Sequence, residues 1–226
     1  MKLLTTLILV GCTALARAQS LCSSDGLSAP TALAERFISA DCEDCWTAPD
    51  AQQATGDGNT LVLDWIVPGL EGDQAPLSAA ATRDALARLQ MLQAATPLSW
   101  SQQRQALTTH APGLLRVAHG PALANYMGAS IALAPASGGP WTAVLLLVEQ
   151  IPPGIDGTPI ARNLVRNMLV IAWDHAPLPG SDLQRFYEAR PMSLPEGTTA
   201  NRVQVVGWVQ DAQGKLVALS QSRCEP

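Results

Sequence analysis

The chain has 226 residues, an ordinary globular composition and a formal net charge of −5. Lysine is nearly absent, arginine carries most of the positive charge and no basic stripe is present, which argues against a nucleic-acid partner. Beyond the N-terminal segment, no apolar run approaches the ~20 residues that a membrane span needs.

Met1-Lys2, the apolar run Leu3 to Val10 and the ending Ala14-Leu15-Ala16-Arg17-Ala18 make up the three parts of a secretory signal peptide. Cleavage after Ala18 would leave Gln19 as the first mature residue. An alternative is a lipobox at Leu9-Val10-Gly11-Cys12, in which Cys12 would be lipidated. Either way the expected location is periplasmic or secreted, with anchoring through Cys12 as the second possibility. The expected partner is a protein or peptide of the cell envelope.

Removing residues 1–18 leaves Cys22, Cys42, Cys45 and Cys224. An even number of cysteines in an exported chain suggests two disulfides, with three possible connectivities. Domain termini often lie close together. The economical pairing is therefore Cys22 with Cys224, as a structural staple, and Cys42 with Cys45.

After a Ser-rich lead-in ending at Pro30, Ala32 to Ser39 reads as a short strand, and Cys42-Glu43-Asp44-Cys45 follows as the opening of a helix. Gly56 to Asn59 is a turn cluster. Leu61 to Val67 is a strand apolar nearly throughout, stopped by Pro68-Gly69. Ser78 to Ala95 carries helical periodicity through Leu86, Leu89 and Leu92, and Thr96-Pro97 ends it. Ser99 to His110 reads as a second helix, closed by Pro112-Gly113. Strand-like runs then follow at 114–118, 125–134, 141–150, 163–173, 182–190, 201–210 and 215–221. Turn residues separate them at short spacing, the signature of a sandwich or barrel. Asp211-Ala212-Gln213-Gly214 reads as a hairpin turn.

Cys42 and Cys45 are the candidate catalytic dithiol. A helix N-terminus presents free N–H groups and positive potential that favour a thiolate, and two-residue spacing lets the sulfurs meet. Glu43 and Asp44 oppose this, because a like charge raises a thiol's pKa. The pair should rest oxidised and be a poor oxidant. A reactive dithiol and an inert staple both remain open. Asp64, a polar residue in an apolar strand, is a candidate positioning group beside the dithiol, or it caps a turn or faces solvent. Trp46 could shield the disulfide or simply pack.

Zinc wants four Cys or His ligands at compatible spacing, and His110, His119 and His175 read as scattered surface or turn residues. No metal or cofactor is expected. The sequence has no nucleophile elbow, P-loop or His-Glu-x-x-His, and Gly128 to Ala132 lacks the second glycine of an elbow.

The segment Glu35-Arg36-Phe37-Ile38-Ser39-Ala40-Asp41-Cys42-Glu43-Asp44-Cys45 resembles the opening of exported bacterial proteins of domain of unknown function 1223. Leu61–Val67, Ser78–Arg83, Ala161–Arg166 and Val205–Asp211 are similar to later pieces of that family in the same order. The resemblance implies a thioredoxin-like first half with a β-rich extension, and no assigned substrate. Trp46-Thr47 stands where that family has Pro-Pro. Thr96-Pro97 is the nearest counterpart of its Thr-Pro, which makes Pro97 a second positioning candidate.

The expected class is therefore α+β. A signal peptide at 1–18 would be followed by a degenerate thioredoxin-like α/β domain at 19–112 and an antiparallel β-sandwich-like half at 113–226. Two functions compete: thiol–disulfide chemistry, with Cys42 attacking and Cys45 resolving, and a non-enzymatic envelope module in which both cysteine pairs are staples.

Overall fold

A computed structural model describes residues 22–48, 59–108, 113–134, 138–174 and 186–224. The signal peptide, the lipobox at Cys12, the turn at 56–58, His110 and His175 lie outside the described residues.

Among the described residues, eleven strands form two sheets. The strands are β1 (Cys22–Ser23), β2 (Ala32–Ser39), β3 (Thr60–Val67), β4 (Trp100–Ala106), β5 (Leu114–Leu123), β6 (Tyr126–Ala134), β7 (Trp141–Ile151), β8 (Arg162–Trp173), β9 (Phe186–Ser193), β10 (Val203–Gln210) and β11 (Leu216–Gln221). The larger sheet runs β11-β10-β7-β8-β3-β2-β4, and the smaller runs β1-β5-β6-β9. The described residues hold two α-helices, α1 (Glu43–Thr47) and α2 (Arg83–Met91). The larger sheet takes strands from both sides of residue 113, so one hydrogen-bonded layer unites the two halves of the sequence.

The expected thioredoxin-like α/β half is not what the chain forms. The protein is mostly β. Strands β2 and β3, with α1 between them in sequence, pair in parallel from Ala32/Thr60 to Ser39/Val67, and β3 meets β8 in parallel at Asp64/Leu164. A thioredoxin-like sheet would need helices on both faces. Here α2 packs on one face through Ala85 and Leu89. Over β7 and β10, the other face is covered by the four-stranded sheet.

The segment expected as a second helix, 99–110, is instead strand β4 over Trp100–Ala106, antiparallel to β2 from Ala106/Ala32 to Trp100/Ile38. Gln and Arg are good helix formers. Yet β2 offers a free edge of backbone donors and acceptors, and pairing with it outweighs the local preference. The helix expected over 78–95 shrinks to α2, because the Thr82 hydroxyl caps it by accepting from Ala85 N (3.2 Å) and Gln93 takes φ 54° just beyond it. The strands read after residue 113 are present, with β9 beginning at Phe186 among the described residues.

Alternation sets the two principal cores. In β7, Ala143, Leu145 and Leu147 face the smaller sheet, while Val144, Leu146 and Val148 face α2. Gly207 lies in β10 against the smaller sheet. A Cβ there would stand 2.6 Å from Val117 Cγ1 and 2.9 Å from Ile131 Cδ1. A larger residue there would force the Val117 and Ile131 side chains to shift. On the opposite face, Phe37 and Trp65 stack with ring centroids 5.9 Å apart, beside Trp208.

Two disulfides close the structure, Cys22–Cys224 and Cys42–Cys45, the connectivity expected from cysteine position. No helix among the described residues is long and apolar enough to cross a membrane.

Candidate functional site: the Cys42–Cys45 loop

Strand β2 ends at Ser39, and Cys42 N donates back to Ser39 O (3.0 Å), turning the chain into α1. The preceding Asp41 does not face the sulfurs' solvent side as a free charge. Its carboxylate accepts from Leu70 N (2.7 Å) and Glu71 N (3.2 Å) and thereby holds the loop after β3. A Cβ on Gly69 would overlap that carboxylate, so glycine is required there by close approach.

The motif does open a helix, but α1 spans five residues and Cys42 makes no side-chain cap. Few aligned peptides stand behind the sulfurs, so the dipole that would stabilise a thiolate is weak. Glu43 and Asp44 are exposed in its first turn. Cys42 is half-buried. Cys45 is 8% exposed and packs with Trp46, Ile38, Ile66 and Leu164. Trp46 is 5% exposed and belongs to the core, with its Nε1 donating to Asp156 O (2.7 Å).

Behind the disulfide lies a charged cluster in the interior. Asp64 is fully buried in β3. Its carboxylate accepts from Arg36 Nη2 (2.8 Å), Arg162 Nη1 (3.2 Å) and Asn163 N (2.9 Å). Arg162 also donates through Nη2 to Cys45 O (3.0 Å) and Trp46 O (3.2 Å), and through Nε to Thr158 Oγ1 (3.1 Å). Its guanidinium carbon stands 4.8 Å from the Trp46 ring centroid. Burial pulls the Arg162 pKa below its ordinary value, and the Asp64 charge opposes that shift. Asp64 thus neither faces solvent nor caps a turn. It holds the arginine that grips the backbone of α1.

Pro97 lies two residues before Ser99, whose carbonyl accepts from Ser39 N (2.7 Å). Trp100 and Cys42 both pack against the cluster containing Ile38, Cys45, Trp46 and Ile66. Pro97 therefore belongs to the segment that flanks the end of β2. Among the described residues the cis peptide bond is Gly139–Pro140, so the bond before Pro97 is trans.

Sequence reasoning missed most of these anchors. Glu35 and Arg36 point to opposite faces of β2: Arg36 reaches Asp64, while Glu35 takes Arg88 of α2 in a two-pronged bond (2.9 and 2.7 Å) beneath Trp208. Adjacent charges inside an apolar strand were the signal for both pairs. The pair Glu149–Arg166 is likewise buried, at 2.7 Å from Nε.

Comparison with known proteins adds nothing to this geometry. No family model, no curated protein and no solved structure matches the chain.

The second disulfide has a different neighbourhood. His119, expected at the surface, is 4% exposed in β5, where it pairs across the ladder with Cys22. Tertiary pairing with β1 covers it. Its Nδ1 stands 3.0 Å from Gly120 O, and since a carbonyl can only accept, the proton sits on Nδ1. Burial pushes the His119 pKa down, against the opposing hydrogen bond to Gly120 O.

Proposed function

We propose that the protein is an exported, disulfide-stapled β-sandwich that acts as a structural or binding module of the cell envelope, and that Cys42–Cys45 is a staple rather than a catalytic dithiol. The observation that carries this reading is the grip of Arg162 on the Cys45 and Trp46 carbonyls. That contact ties the disulfide loop to the buried Asp64 of β3. A catalytic dithiol needs an accessible, acidic attacking thiol. The short helix and the flanking Glu43 and Asp44 both work against one. Disulfide-bonded cysteines also suit an oxidising compartment, which supports export. A divergent place in the domain of unknown function 1223 family rests on the Glu35–Cys45 segment and on Val205–Asp211, whose local structure is a strand-to-helix turn and the start of the final hairpin.

Measuring the reduction potential of the Cys42–Cys45 pair tests the reading. A staple gives a value below about −300 mV and no insulin-disulfide reductase activity in the wild-type protein. A potential in the range of oxidoreductases, with activity lost in the Cys42→Ser, Cys45→Ser variant and the fold retained, establishes thiol–disulfide chemistry instead.

A further inference from the structure

The groups around the Cys22–Cys224 disulfide are arranged for more than a covalent link. One ring nitrogen of His119 and the sulfurs of Cys22 and Cys224 all lie within 4.8 Å of one another. With Nδ1 committed to Gly120 O, the other ring nitrogen, Nε2, keeps a bare lone pair. It is buried and has no hydrogen-bond partner among the described residues. An unpartnered acceptor in the interior is costly. A histidine whose Nδ1–H is held by a backbone carbonyl and whose Nε2 is open has the tautomer of a metal ligand. The cluster lines a cleft of about 390 Å³, walled also by Pro121, Met127 and Val203. Cys22 is buried but Cys224 is exposed, so the disulfide can be reached from solvent.

We propose that Cys22, Cys224 and His119 form a redox-gated site for a thiophilic monovalent cation of the Cu(I) type, which replaces the disulfide as the clip between the first strand and the segment after β11 when the compartment becomes reducing. Reduction needs a dithiol. Its first thiolate attacks the exposed Cys224 sulfur and expels Cys22 as a thiolate. Its second thiolate then breaks the mixed disulfide, frees Cys224 and closes the reductant's own S–S bond. Two electrons pass to the protein, and the dithiol's two protons go to the freed thiolates. Cation binding releases those protons to solvent again. Two thiolates and one imidazole suit a soft cation, and Cu(I) is satisfied by three ligands where zinc asks for a fourth. The inference concerns the other cysteine pair and does not depend on whether Cys42–Cys45 is a staple.

The experiment uses the full chain carrying Cys12→Ser, Cys42→Ser and Cys45→Ser, which leaves Cys22 and Cys224 as the only cysteines. The oxidised form should retain no Cu(I) against a chromogenic Cu(I) chelator. The same protein, reduced with a phosphine and desalted without oxygen, should retain one equivalent. Adding His119→Asn should weaken binding by at least about tenfold. X-ray absorption of the loaded protein should show sulfur and one nitrogen scatterer. Three results overturn the proposal: no more Cu(I) held by the reduced than by the oxidised protein, an all-sulfur site unaffected by His119→Asn, or a reduced chain that unfolds and stays unfolded when Cu(I) is added.

Discussion

The two disulfides differ in everything except their bond. Cys42–Cys45 closes one turn of chain against a buried charge cluster, with Arg162 on its backbone and acids on its outer side. Cys22–Cys224 joins residues 202 apart in sequence and sits beside a buried imidazole and a mostly apolar cleft. The CxxC spacing drew attention to the first pair, yet spacing settles only whether two sulfurs can meet. Reactivity depends on neighbours that stabilise a thiolate or accept its proton, and these come from distant strands.

The sharpest way to break the comparison is to remove the charge beneath the first disulfide. Asp64→Ala leaves Arg36 and Arg162 without their shared buried counter-charge, and breaking a buried pair costs about 5 kcal/mol at the upper end. Urea unfolding should show a loss of that size, and the Cys42–Cys45 bond should become easier to reduce while Cys22–Cys224 does not. A loss under about 1 kcal/mol would mean that the cluster does not anchor α1.

Removing each disulfide in turn comes next. The chain-entropy model gives about 5 kcal/mol for a ring of about 200 residues and about 2 kcal/mol for one closed over three, with measured values often smaller. Cys22→Ser, Cys224→Ser should therefore lower stability more than Cys42→Ser, Cys45→Ser under oxidising conditions. The reverse order would show that the short loop stores its worth in packing around Cys45 and Trp46 rather than in chain entropy.

The smallest effect lies at the surface near Cys22. Arg116 bonds Asp25 through Nε (2.8 Å) and Nη2 (2.7 Å), and this hydrogen bonding holds the Asp25 carboxyl below its ordinary value of 3.8. A depressed folded pKa stabilises the protein above pH 3.8, and the contribution is lost as pH falls through the folded value. Asp25 is largely exposed, so Arg116→Ala should cost less than about 1 kcal/mol at neutral pH and should remove that acid-dependent step. A larger loss would make this bridge part of the staple itself.

Strand β2, the β3 run and the final hairpin were legible in the sequence because each is written in local terms: alternation, an apolar run, and Asp211-Ala212-Gln213-Gly214 with Gly214 at φ 75°. The disulfide pairing was the economical one of three that cysteine number and position allowed, and the fold selects it. The site was legible only at its sulfurs. Asp64 stood out as a polar residue in an apolar strand, but its partners Arg36 and Arg162 arrive from β2 and β8, which adjoin β3 on either side in the sheet.

The sequence by itself determined where most strands begin and end and that four cysteines could form two bridges, since these follow from backbone period, turn chemistry and parity. Only the tertiary structure decided the rest. It made Trp100–Ala106 an edge strand, because β2 needed a hydrogen-bonding partner. It replaced the helical layer of a thioredoxin-like sheet with a second sheet, because the apolar faces of β7 and β10 are covered by β5 and β6. It also buried His119 beside Cys22 and Cys224, each about a hundred positions away in sequence, a juxtaposition that no local pattern encodes.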